Sequence, residues 1–95
     1  MTKPEAVATQ SVDDARVRVT RFDFVPGAET GWHTHGMDYV ICAVTDCHMR
    51  LEDPDGGVRE VFVKAGESYR REAGVEHNVT NGGDKTKSIV EVELK

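Results

Sequence analysis

The chain has 95 residues, 12 of them basic and 17 acidic, for a net charge of −5 at pH 7. That length holds one domain, and 38% hydrophobic against 31% charged residues is too apolar for an extended disordered chain. The acidic balance argues against nucleic acid and anionic membranes as partners, and Arg70-Arg71 is the only adjacent basic pair.

No apolar run approaches the roughly 20 residues that span a bilayer. The first eleven residues carry no apolar stretch of the kind a secretion signal needs, so a cytoplasmic location is expected. Cys42 and Cys47 are too few for a disulfide framework and are expected to stay reduced as small packed side chains. Residues 1–11 are polar and aperiodic. They read as an arm, loose or ordered by a partner subunit, ahead of a domain over 12–95.

In chain order, residues 16–25 (RVRVTRFDFV) form the first predicted strand. Its apolar phase shifts between Val17/Val19 and Phe22/Phe24. Either a bulge near Thr20 restores the phase or each face is buried in a different place. Residues 37–44 (MDYVICAV) are apolar on both faces, as in a strand covered on both sides. Thr45-Asp46 can turn into a returning strand over 47–52. A two-residue hairpin there would pair Ala43 with His48 and Cys42 with Met49. Asp53-Pro54-Asp55-Gly56-Gly57 is the strongest turn signal. Strands follow over 58–64, 68–72, 77–80 and 88–94, separated by Gly-containing turns. About eight short strands and no stretch of helical periodicity make the fold class all-β, a sandwich or barrel.

The chemistry-bearing residues are histidines. His33 and His35 are two apart, so on a strand their rings share a face and can converge on one ion. The spacing from Gly27 through five residues to His33-Thr34-His35 resembles the first motif of the cupin superfamily. The second motif is Gly, five residues, Pro-x-Gly, two residues, His, three residues, Asn. It is matched by Gly66, Glu72-Ala73-Gly74, His77 and Asn81, with Glu72 in the proline slot. The segments Gly31-Trp32-His33-Thr34-His35 and Gly74-Val75-Glu76-His77-Asn78 resemble most the small single-domain bacterial cupins, some of them assigned to β-alanine degradation.

The resemblance implies a small single-domain jelly-roll barrel that holds a divalent transition metal (Fe, Mn, Ni, Zn or Cu) through His33, His35 and His77. It departs at the family's glutamate ligand, whose slot falls on Tyr39 or Val40. The motif's closing glycine is also replaced, by Asp46. Three neutral ligands would leave the full 2+ charge on the ion, which suits a small anionic substrate. Cupin-type dioxygenases that lack the glutamate are similar.

The expected function is therefore a metal-dependent enzyme of dioxygenase or isomerase type, with Tyr39 orienting or protonating the substrate. The alternatives are a non-catalytic binding or sensor cupin, or a vestigial structural one. His48 is expected to be structural, Asp38 a poor substitute ligand, and Trp32 a packing residue. Arg70 and Arg71 are consecutive on a strand, so one should face in and one out. An inward one could bind a carboxylate, but a solvated pair on an edge strand is the favoured expectation. The outward strip Val40, Cys42 and Val44, with Met49 beside it, points to a homodimer.

Overall fold

Side-chain burial alternates along Asp38–Ala43: Tyr39, Ile41 and Ala43 are buried, while Asp38, Val40 and Cys42 are half-buried. That two-residue period is what a strand shows when one face meets a core and the other meets a partly covered surface. The computed structural model describes residues 3–95, and among them there are nine strands and no helix. They are β1 (Val7–Asp13), β2 (Val17–Phe24), β3 (His33–Thr34), β4 (Asp38–Ala43), β5 (Cys47–Glu52), β6 (Val58–Val63), β7 (Ser68–Arg71), β8 (Glu76–Asn81) and β9 (Lys87–Leu94). Two antiparallel sheets result, in the orders β1-β2-β9-β4-β7 and β3-β8-β5-β6, and they face each other as a small jelly-roll barrel. No helix among the described residues is long and apolar enough to cross a membrane.

The phase shift in the first predicted strand needs no bulge. Residues 17–24 pair with β9 in uninterrupted register. Phe22 and Phe24 turn inward, and Val17 and Val19 lie on the outer face, so each face is apolar in its own place. The one register shift of that sheet edge lies in β1, between Gln10 and Val12. Of the arm expected over 1–11, Met1 and Thr2 lie outside the described residues. Residues 7–11 belong to β1, paired with β2 of the same chain.

The Thr45-Asp46 turn is not a hairpin. It carries the chain from one sheet to the other, so β4 pairs with β7 and β9 while β5 pairs with β6 and β8. Cys47 and Met49 are therefore core residues facing the opposite sheet, and Cys42 stands on the outer face of its own. Met49 takes no part in the outer strip. That strip is instead a cross-strand rung of four valines, Val12, Val19, Val92 and Val40, with Val90 and Leu94 beside it on β9.

The end of the barrel away from the histidines is closed by Phe24, Ala28, Met49 and Leu51 and by one buried amide, Asn81. Its Nδ2 donates to the carbonyls of Phe24 (3.0 Å) and Lys85 (2.8 Å), and its Oδ1 accepts from the Gly83 amide (2.9 Å). One side chain thus joins β2, β8 and the turn into β9. Replacing Asn81 by Ala orphans three backbone groups, and the expected loss is about 2–3 kcal/mol in urea unfolding.

Candidate metal centre

The local structure that aims the histidines is backbone geometry. β3 is two residues long and is docked by pairing His33 opposite His77. His35 lies just beyond β3, where its amide donates to the Val75 carbonyl (2.9 Å) and its carbonyl accepts from the Gly74 amide (2.7 Å). Gly74 has φ 99°, a left-handed backbone that side chains disfavour, so the glycine of the second motif sets this clasp. Gly31 (φ 84°) aims its carbonyl at His33 Nδ1 (2.9 Å), and its amide donates to Asn78 Oδ1 (3.1 Å). Asn78 in turn donates to Glu29 (3.0 Å).

A carbonyl only accepts, so His33 Nδ1 carries the proton and His33 Nε2 presents a lone pair. His35 Nε2 lies 3.0 Å from His33 Nε2 and 3.0 Å from His77 Nε2. Neutral rings cannot satisfy both contacts, because a single N–H on His35 can serve only one of them. A divalent ion that took three lone pairs would remove the conflict. Two imidazole nitrogens about 2.1 Å from one ion and at right angles to each other are about 3.0 Å apart, so the spacing fits. Burial first, and the neighbouring His33 second, push both His35 and His77 down to about 4, which keeps them neutral and able to ligate at pH 7. Among the described residues no carboxylate belongs to the cluster.

Tyr39 rather than Val40 faces inward beside this cluster. It is 2% exposed, and its ring stacks on His35 with centroids 3.8 Å apart. Burial pushes its phenol up to about 12, so it is a proton donor at neutral pH. Asp38 instead accepts from the Ala73 amide (2.9 Å), and His48 pairs with Glu60 (3.1 Å) and stacks on Phe62. Neither is in the cluster. Trp32 is 54% exposed. The arginine pair splits: Arg70 lies outside, 3.9 Å from Asp38, while Arg71 lines the cavity, against the expectation of two solvated side chains.

The histidines line one end of a cavity of about 390 Å³ between the sheets. The sequence reading missed the cavity's two carboxylates, and Arg18, Arg59 and Tyr69 with them. β9 looked like a run of Ile89, Val90, Val92 and Leu94, but its inward set is Ile89, Glu91 and Glu93. The only signal was the alternating Glu-x-Glu within a valine strand, which reads equally well as a solvated face. Arg18 opposite Glu93 holds it with two bonds of 2.7 and 2.9 Å and keeps its carboxyl below the usual carboxylate range. Glu91 has no such cation. Burial pushes it up to about 7, and the charge of Glu93 pushes the same way.

A family model described as "Cupin domain" matches residues 20–93. The chain is a cupin. It is 50% identical over 93 residues to the Beta-alanine degradation protein BauB of Pseudomonas aeruginosa, across 98% of this chain and 97% of that protein. A crystal structure of a cupin domain from Bordetella pertussis Tohama I superposes with a TM-score of 0.95 at 45% identity, covering 100% of this chain and 98% of that one. The polyketide cyclase RemF of Streptomyces resistomycificus superposes at 0.73 with 25% identity, over 99% of this cupin and 70% of RemF.

The unfolded value of a glutamate lies well below 7, so the cavity position of Glu91 costs folding stability as pH rises through that interval. The cost is absent below the unfolded value and complete above about 7. Replacing Glu91 by Gln removes it. The expected outcome is a melting temperature raised relative to the parent at pH 8, with little or no gain at pH 4.

Proposed function

We propose that this cupin is a metal-dependent enzyme in which His33, His35 and His77 hold one divalent transition ion and the substrate is a small anionic metabolite. The convergence of three neutral imidazole nitrogens with no carboxylate among them carries the reading. The ion supplies Lewis-acid polarisation or a place for O₂ chemistry, so dioxygenase and isomerase reactions both suit the site. Tyr39 binds or orients the substrate and donates a proton to it from the phenol. Phe22, Phe24 and Met49 close the far end of the cavity, so it opens to water only on the side of the histidines. The near full-length likeness to BauB supports a substrate in the degradation of β-alanine, a carboxylate compound.

The decisive experiment is metal analysis of the purified protein and its variants. Up to one ion per chain is expected. His33→Ala, His35→Ala and His77→Ala should each lower occupancy sharply, and His48→Ala should leave it unchanged. Equal loss across all four would refute the site. Tyr39→Phe should keep the ion and lose turnover, measured as oxygen uptake or product formation across a panel of oxo acids, diketones and thiols. Saturable binding of such compounds with no turnover would favour a sensor module instead.

The same reading includes a homodimer formed through the outer face of the five-stranded sheet. The valine rung supports it, since a monomer leaves that apolar strip beside water. Light scattering should give about 21 kDa, twice the chain mass of 10.5 kDa. Val40→Asp should dissociate or unfold the dimer, because an unpaired carboxylate in an apolar contact costs several kcal/mol.

A further inference from the structure

One rung of the five-stranded sheet runs through the polar end of the cavity: Arg18 opposite Glu93, Glu93 opposite Tyr39, and Tyr39 opposite Arg71. Three arginines line the cavity, and two of them are already neutralised. Arg18 is spent on Glu93, and Arg59 is held by Asp53 with two bonds of 3.0 and 2.9 Å. Arg71 makes no ion pair among the described residues. Its guanidinium lies over the Tyr69 ring, 5.7 Å from the centroid. That contact steadies the side chain and leaves its N–H edge free. The hydroxyl of Tyr39, the cross-strand neighbour of Arg71, likewise has no hydrogen-bond partner among the described residues, while its ring stays stacked on His35.

A partly buried cation with no counter-charge, next to a free phenol donor, is incomplete until an anion arrives. We propose that Arg71 and Tyr39 together form a carboxylate-binding subsite. It receives the acid group of a short-chain substrate whose other polar end reaches the three histidines. This rests on the small-anion reading above and adds the residues that select for it. Guanidinium and carboxylate match as two parallel hydrogen bonds, which a neutral isostere cannot reproduce. One uncommitted guanidinium balances a single negative charge, so the subsite suits a monoanion better than a phosphate dianion.

The subsite can be tested without any turnover, on metal-free protein, by NMR titration with propionate, propionamide and inorganic phosphate. The wild type should bind propionate saturably, with shifts centred on Tyr39, Tyr69 and Arg71, and should not bind propionamide. Arg71→Gln should weaken propionate roughly ten- to hundredfold, the range for a charge-assisted bond, and Tyr39→Phe by a smaller factor. Arg71→Lys should recover part of the loss, which guards against a folding artefact. Arg70→Gln removes the same charge from the outer face and should change nothing. Equal losses from Arg70→Gln and Arg71→Gln would reduce the effect to net charge. That result, tighter phosphate than propionate, or no saturable binding to the wild type, overturns the proposal. His77→Ala separates the two readings: it should fail to take up the ion when metal is added back, yet bind propionate in this metal-free titration as the wild type does.

Discussion

The interior chemistry of this cupin depends on the register of β9 between β2 and β4. Side chains alternate faces, so a slip of one residue would carry Val90 and Val92 into the cavity and put Glu91 and Glu93 outside. Arg18 would then face an apolar neighbour, and Tyr39 and Arg71 would lose the polar rung they share. The register is pinned by apolar pairs at one end, Phe22 and Ala43 against Ile89, and by the bidentate Arg18–Glu93 pair at the other. Arg18 stays partly exposed, so the pair adds little stability, but a slip would leave the largely buried Glu93 carboxylate without its cation, which makes the pair a marker of register.

That arrangement divides the cavity. One end is lined by Phe22, Phe24, Met49 and Ile89 and holds the sheets together. The other gathers three imidazoles, two phenols, two carboxyls and a guanidinium, that of Arg71, with no ion pair among the described residues. Burial acts on each polar group against its charged form. His35 and His77 become neutral donors of lone pairs, Tyr39 keeps its proton, and Glu91 holds its own to about 7. Only groups with a partner, Glu93 among them, escape this pressure. One low-dielectric environment thus prepares a ligand set, a proton donor and a titratable acid.

The site also relies on supports that are not themselves chemical. Gly31 and Gly74, both with positive φ, aim a carbonyl at His33 and clasp the backbone of His35. Asn78, adjacent to His77 but on the other face of β8, ties Gly31 to Glu29. Such outer contacts decide which ring nitrogen is protonated and where the ring points.

Much of this was legible in the sequence because it is local. The apolar run over 37–44 marks β4, and the two-residue period of a strand puts Tyr39, Ile41 and Ala43 on one face. The spacing of two between His33 and His35 puts both rings on one face, and the glycine-bounded motifs bring His77 into the account. Counting narrows the glutamate slot to Tyr39 or Val40, and the fold puts Tyr39 inside. Sheet membership could not be read from local pattern. Thr45-Asp46 has the composition of a hairpin turn, yet it bridges two sheets, so the placement of Cys47 and Met49 awaited the fold. The facing of Glu91, Glu93 and Arg71 was equally hidden. A charged residue alternating with valines fits a solvated face as well as a polar cavity, and only the neighbours across the barrel decide between them. Local pattern determined which residues share a face; the packing of one sheet against the other decided which face was inside, because burial is a property of the assembled pair and not of either strand.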